Sequence, residues 1–274
     1  MPSFYSAIDW SRPWYASIHA AAQNIIHAPN WRAALNAQAV VLALRNHRGL
    51  PLSFVPQGDL PDGAAYEAFI SASACVPTRE NLHDFFNALV WLSFPRIKRA
   101  LNALQAAQIA LDGIGHARGP ARDAATIFDE NAALLLVRDA PPGRARLDAL
   151  RNHQWQDAFT QQRGDFGSEA EVWLFGHALM EKLVAPYKAI TAHTRAVLVD
   201  DTYFALDRSA RRDWIDRQVA QELTDQGLSA ACFTPLPVLG VPDWWPGQDQ
   251  AFYDDTSVFR PPRVARSPAG SGCR

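Results

Sequence analysis

The chain has 274 residues, of which 48% are hydrophobic and 20% charged, a balance that is typical of globular proteins and excludes a disordered chain. Its formal net charge of −2 gives no general attraction to nucleic acid or to an anionic membrane, so nucleic acid is not expected as a partner. The longest aliphatic runs, AVVLAL and AALLLV, have six residues each, whereas a membrane span needs about 20.

The three cysteines, Cys75, Cys232 and Cys273, are far apart and form no CxxC pair. This spacing argues against a zinc ribbon, a thioredoxin-type site and a disulfide framework. The N-terminus lacks the basic start and the long apolar run of a signal peptide. We therefore expect a soluble, cytoplasmic protein.

In the first half of the chain, the pattern over residues 14–45 predicts two helices, and LPLSFVPQG predicts a short strand. TRENLHDFFNALVWLSF and PRIKRALNALQAAQIAL predict two further helices, which meet at Pro95 because proline ends or restarts a helix.

The centre of the chain is ambiguous at ATIFDENAALLLVRD. Asp129, Glu130 and Asn131 could form the turn of a β-hairpin, or the whole segment could be helical; the turn-forming residues between β-branched and aromatic ones favour the hairpin. EAEVWLFGHALMEKLVA predicts one long helix stopped by Pro186. AITAHTRAVLVD then predicts a strand, and RSARRDWIDRQVAQELTDQG predicts an amphipathic helix ended by glycine.

The segment FTPLPVLGVPDWWPGQDQAFYDDTSVFRPPR is rich in proline and aromatic residues and has little periodicity, which predicts an ordered surface loop. Residues 264–274 are small, polar and basic, and we expect them to be a disordered tail. The irregular alternation of helices and short strands predicts an α+β fold. We expect a mostly helical single domain over residues 1–263, with short strands or hairpins and a long C-terminal loop segment.

The first candidate site is LFGHALMEKLVAPYKAITAH, where His177 and Glu181 are four residues apart and share one helix face. The predicted helix is apolar all round, so the pair is expected to be buried, and a buried carboxylate needs a partner. His193 could complete a set of two histidines and one carboxylate around a divalent metal. The commoner alternative is a hydrogen-bonded core pair with His193 exposed.

The second candidate is NLHDFFNALVW, where His83 and Asp84 lie beside each other at a helix start. A histidine near a carboxylate can act as a general acid or base. Helix capping and hydrogen bonding between elements are the alternative reason for these residues.

The third candidate is RDAATIFDEN, where Asp123, Asp129 and Glu130 could contribute carboxylates to a metal. Arg118 and Arg122 could pair with a phosphate or with these acids. Turn formation alone also explains the acidic residues. The chain has no Walker loop, no GxGxxG and no GxSxG motif, which lowers the expectation of a P-loop, Rossmann or α/β-hydrolase enzyme.

Five long stretches resemble the bacterial family called domain of unknown function 3025: VPTRENLHDFFNALVWLSFPRIKRALNALQ, RGPARDAATIFDENAALLLV, FGHALMEKLVAPYKAITAH, PLPVLGVPDWW and FYDDTSVFRPPR. The similarity covers about residues 70–263. It implies a bacterial cytoplasmic protein with one domain over these motifs. It implies no activity, cofactor or catalytic residue.

Two functions follow as hypotheses. The favoured one is a metal-dependent hydrolase that acts on a phosphate- or amide-containing substrate. It assigns a divalent metal to His177, Glu181 and His193, acid–base chemistry to His83 with Asp84, and a supporting or additional ligand role to Asp129 or Glu130. The alternative is a non-catalytic binding protein that uses Trp244 and Trp245 of the C-terminal segment as interface anchors for a small-molecule or macromolecular ligand.

Overall fold

The structure is a computed structural model that describes residues 3–112, 119–161 and 163–261. Its helices are α1 (His19–Ile26), α2 (Trp31–Val41), α3 (Tyr66–Ser73), α4 (Leu82–Ser93), α5 (Pro95–Asp112), α6 (Pro120–Asn131), α7 (Pro141–Arg151), α8 (His177–Lys182), α9 (Arg208–Gln226) and α10 (Gln250–Tyr253). Its strands are β1 (Ser53–Pro56), β2 (Cys75–Thr78), β3 (Ala132–Arg138), β4 (Ala170–Leu174), β5 (Thr191–Val199) and β6 (Thr234–Pro237). Among the residues described, no helix has both the length and the apolar character needed to cross a membrane.

The main sheet has four strands in the order β4-β3-β5-β6, with β3 and β5 in the middle. β3 runs antiparallel to β4 and parallel to β5, and β5 runs antiparallel to β6. Six consecutive residues of β3 are buried, which is the pattern of a strand covered on both faces. A separate pair of parallel strands, β1 and β2, lies in the N-terminal half.

The helix α4 is at the centre of the helical layer. Asn81 caps its N-terminus by accepting a hydrogen bond from the backbone N–H of Asp84 at 2.8 Å. From Asp84 to Ser93 every residue of α4 is buried, because α5 and α8 pack against it and α1 and α2 cover it further. The helix α5 in turn packs against α3, α6 and α9. A polar side chain on a helix that is buried on all sides can find a hydrogen-bond partner only inside the protein.

The predicted α+β class is confirmed: helices dominate and the sheets are small. The predicted hairpin at residues 125–138 is wrong, because Asp129–Asn131 form the last turn of α6 and β3 starts at the next residue. Helix ends and turns favour the same short polar residues, so the composition alone did not separate the two structures.

The predicted long helix over residues 169–185 is also wrong, since its first part is the strand β4 and only the short α8 is helical. The change occurs at Gly176, which lies against the end of α6. β4 is an edge strand without a clean alternation of buried and exposed residues, so its period did not reveal it.

The C-terminal segment contains β6 and the short α10 and is otherwise irregular. Trp244 and Trp245 are partly buried and pack against the core, and the ring of Trp244 lies 6.3 Å from that of Trp14. The predicted tail at 264–274 lies outside the described residues.

Candidate functional site

A cleft of about 510 Å³ is bounded by α3, α4, α5, α6 and the start of α8. Its lining is mainly polar and titratable, so a ligand in the cleft would meet several charged and hydrogen-bonding groups. The lining residues are Gln57, Leu60, Ala65, Tyr66, Glu67, Arg79, His83, Asp84, Asn87, Gln105, Arg122, Thr126, Asp129, Glu130 and His177.

Three donor atoms converge at one end of the cleft, from His83 in the first turn of α4, Glu130 in the last turn of α6 and His177 at the start of α8. The two imidazole Nε2 atoms are 3.1 Å apart, and the Oε2 atom of Glu130 lies 3.6 Å from Nε2 of His177 and 3.9 Å from Nε2 of His83. We call these three residues the donor triangle.

The size of the donor triangle matches a metal ion. The point equidistant from its three atoms lies about 2.1 Å from each of them, which is the length of a zinc–nitrogen bond. In a regular octahedral site the three atoms would lie only about 3 Å from one another, whereas a tetrahedral site spreads them to about 3.4 Å. The observed separations of 3.1, 3.6 and 3.9 Å are on average nearer to the tetrahedral spacing.

Both histidines face a carboxylate through their other ring nitrogen. Nδ1–H of His83 donates to Oε2 of Glu181 at 3.0 Å, and Nδ1 of His177 lies 3.9 Å from Oδ2 of Asp129. The hydrogen bond to Glu181 assigns a proton of the His83 ring to Nδ1, whereas Nδ1 of His177 has no hydrogen-bond partner among the described residues. The two Nε2 atoms lie within hydrogen-bond distance of each other. Histidines that bind metals are oriented by carboxylates as His83 is by Glu181.

Asp129 is held by a buried lysine. Nζ of Lys98 lies 2.6 and 2.9 Å from the two carboxylate oxygens and donates to Oδ1 of Asn87 at 2.8 Å. Asn87 donates to the hydroxyl of Tyr66 at 3.1 Å, and the lysine ammonium lies 5.2 Å from the ring centroid of Trp91. Because Lys98 and Asp129 are 3% and 7% exposed, this network fixes the wall of the cleft behind His177.

Burial sets the protonation states in the cleft. Burial lowers the pKa of His177 to about 3, so its imidazole is neutral at physiological pH, as a metal ligand must be. Burial alone would raise the pKa of Asp129, but the charge and hydrogen bond of Lys98, together with the imidazoles of His177 and His83, outweigh it and the pKa is lowered. For Glu130 burial prevails and raises the pKa of the carboxyl.

The structure brings most of the predicted site residues together, although they were predicted as separate clusters. At the cleft lie His83, Asp84, Asp129, Glu130 and His177, with Glu181 bonded to His83 at its edge. Asp84 is engaged by Arg79, whose backbone N–H and guanidinium bind its carboxylate at 2.7 to 3.0 Å. Glu181 contacts His83, so the expected core pair of His177 with Glu181 is not the one that forms.

His193 is not brought to the donors. It is exposed on β5, and its Nδ1 accepts a hydrogen bond from the side-chain amide of Asn131 at 3.0 Å. Its neighbours Ala192 and Thr194 are buried, because successive side chains of a strand point to opposite faces. Glu130 and His83, and not Glu181 and His193, are the residues whose donor atoms lie beside that of His177.

Sequence reasoning missed the polar face of α5. Lys98, Asn102 and Gln105 are 3%, 1% and 7% exposed and lie toward α3 and α6. Their spacing of four and three residues places them on one face of a helix. Lys98 also belongs to a group of basic residues at the start of α5, where a cation is usually solvated. The regular spacing of Lys98, Asn102 and Gln105 was therefore the only sequence signal for this polar face.

Comparison with known proteins gives one finding at the level of the family. No curated protein matches the chain, and no solved structure matches it. A family model described as "Protein of unknown function (DUF3025)" matches residues 52–263, which include the whole donor triangle and its carboxylate partners. The chain therefore belongs to the DUF3025 family.

Proposed function

We propose that the protein is a metal-dependent hydrolase in which His83, Glu130 and His177 bind a divalent ion, most favourably zinc. The observation that carries the proposal is the donor triangle itself, whose atoms all lie within 4.8 Å of one another at the end of a cleft. Two histidines and one carboxylate are a common ligand set of catalytic zinc, which keeps a coordination position open for water and substrate.

The residues around the donor triangle support this role. Glu181 orients the imidazole of His83 through a hydrogen bond, Asp129 lies 3.9 Å from Nδ1 of His177, and Lys98 neutralises the charge of Asp129. The bound ion would polarise a carbonyl or phosphoryl oxygen and make water reactive at neutral pH. Such chemistry hydrolyses phosphate- or amide-containing substrates, and the cleft beside the triangle has the volume to hold a small one.

The cysteines favour a cytoplasmic location for this activity. Of the described residues, Cys75 and Cys232 are free thiols, as expected in a reducing compartment.

The first experiment is a zinc titration of protein purified without a metal-chelating tag, with bound metal measured by mass spectrometry. We expect one equivalent of zinc, and a stabilisation of about 2.7 kcal/mol when free zinc is about 100 times the dissociation constant. His83→Ala removes a donor whose side chain is 32% exposed, so the variant should fold and lose the zinc. His193→Ala is the matched control, because this histidine lies outside the donor triangle, and it should bind zinc like the wild type.

Absence of zinc binding by the wild type, or unchanged binding by His83→Ala, contradicts the metal site. Hydrolysis is then tested with p-nitrophenyl phosphate and with an aminoacyl p-nitroanilide. We expect turnover of one of them that a chelator abolishes and zinc restores. If a zinc-loaded protein turns over neither substrate, the hydrolase assignment is wrong even though the metal site is real.

A further inference from the structure

The cleft is also lined by polar residues of α3, α5 and α6, and on α6 Arg122 precedes Glu130 of the donor triangle by eight residues, about 12 Å along the helix. Glu67, Gln105 and Arg122 line it. Gln105 is only 7% exposed, yet its side-chain amide makes no hydrogen bond to any residue that the structure describes. The amide atoms of Gln105 are not among the buried polar atoms that lack a partner, so they reach the cleft and can hydrogen-bond a group that enters it.

Arg122 supplies a charge in the same part of the cleft. Two other cations of this region are matched, with Arg79 bound to Asp84 and Lys98 bound to Asp129. Arg122 belongs to the first turn of α6, and no carboxylate of the described residues lies within ion-pair distance of its guanidinium.

The neighbouring acid does not neutralise Arg122 directly. The carboxylate of Glu67 accepts a hydrogen bond from Nδ2 of Asn102 at 2.7 Å, and Arg122 acts on it only at longer range. Burial raises the pKa of Glu67. Among the residues that the structure describes, no carboxylate therefore pairs with this guanidinium, which lines the cleft.

We propose that Arg122 and Gln105 bind an anionic group of the substrate, a phosphate or a carboxylate, while the donor triangle holds the ion beside the bond to be cut. A guanidinium matches both anions with two parallel N–H donors, and the amide of Gln105 can add a third. This inference rests on the proposed hydrolase and narrows its substrates to anionic ones. It also gives two parts of the cleft separate tasks, with cleavage at α8 and recognition at α5 and α6.

The test measures binding of inorganic phosphate and, separately, of acetate to the zinc-loaded protein by titration calorimetry. Arg122→Gln should weaken binding of the preferred anion by about tenfold or more, because a charge-assisted hydrogen bond is lost, and should leave zinc affinity unchanged. Arg99→Gln is the matched control: Arg99 is an exposed arginine in a separate groove between α5 and α9. Gln105→Leu should weaken anion binding without removing a charge.

Preference for phosphate indicates a phosphate-bearing substrate, and preference for acetate a carboxylate-bearing one. If neither anion binds, or if Arg122→Gln binds as the wild type does, the inference is overturned, whatever the zinc result. If zinc is not bound but phosphate binds in a way that depends on Arg122, the anion site stands and the proposed hydrolase fails. The melting temperature of each variant shows that it is folded.

Discussion

Replacement of Gly176 should move the donor atoms of His177 and Glu130 apart without removing either side chain. The φ of −59° and ψ of 117° at Gly176 are open to any residue, so its glycine is not required by backbone conformation. It is required by a close approach: a Cβ atom would lie 2.4 Å from the backbone nitrogen of Ala132 and 2.6 Å from the nitrogen and Cα of Asn131. Carbon contacts begin near 3.5 Å, so Gly176→Ala must move the start of α8 from the end of α6 by about 1 Å.

This movement acts on both sides of the proposed metal site. His177 follows Gly176 directly, and Glu130 precedes Asn131, so their 3.6 Å donor separation widens with the displacement. Overpacking of this kind costs about 1–3 kcal/mol of folding stability. We expect zinc affinity to fall by about 10–100-fold, the range seen when the support of metal ligands is disturbed.

The assay is competition for zinc against a chromophoric chelator, combined with a melting curve of the zinc-free protein. Gly164→Ala is the matched control, since a Cβ atom there would have no neighbour within 4 Å. The control should keep the zinc affinity of the wild type. If Gly176→Ala also keeps it, or if its melting temperature is unchanged, then the close approach does not position the donors and the reasoning is refuted.

Three further outcomes are expected. Lys98→Met leaves the carboxylate of Asp129 buried without its cation and should cost about 3–5 kcal/mol in urea unfolding; a loss below about 1 kcal/mol would contradict the network. Glu181→Gln removes the carboxylate that orients His83 and should lower the zinc affinity measured by calorimetry about 10–100-fold. Because the side chain of Glu181 is 40% exposed, the melting temperature should hardly change. An unchanged zinc affinity would argue against the orienting role. Nζ of Lys188 donates to Oδ2 of Asp255 at 2.8 Å, and this hydrogen bond lowers the pKa of Asp255 to about 2. The stabilising contribution of the ion pair is therefore complete above pH ~4 and is lost as the pH falls through about 2. The difference in melting temperature between the wild type and Asp255→Asn should shrink over that window, and a constant difference would exclude the ion pair as its cause.

The sequence predicted the residues of the site better than their arrangement. His83, Glu130 and His177 were each recognisable as polar groups beside apolar positions, which is a local property of the chain. Their meeting depends on how α4 and α6 pack around α8, and no local pattern encodes this packing. The same limit applies to the prediction for His193. Its strand was predicted correctly, but which face of β5 is exposed depends on the packing of the sheet in which β5 pairs with β3 and β6.

Both errors in the predicted secondary structure lie where a helix and a strand follow each other along the chain with almost no residues between them. α6 passes into β3 at Ala132 without a turn, and β4 is separated from α8 by only two residues. At such junctions the helical and strand periods are each present for too few residues to be distinguished. Elements with a long undisturbed pattern, such as α9 with Gly227 at its end, were predicted correctly.

Because α6 continues directly into β3, formation of the donor triangle depends on the folding of the whole chain. Glu130 is two residues from the central strand, whereas the histidines belong to helices far from it in sequence, so the three donors meet only when the sheet and the helical layer have both formed. An ion held by all three would bind the native state and not the unfolded one, and each tenfold increase in its free concentration above the dissociation constant would add about 1.4 kcal/mol of stability. The free zinc level of the cell would then determine how often the chain opens to proteases, so the lifetime of the protein would report on metal supply.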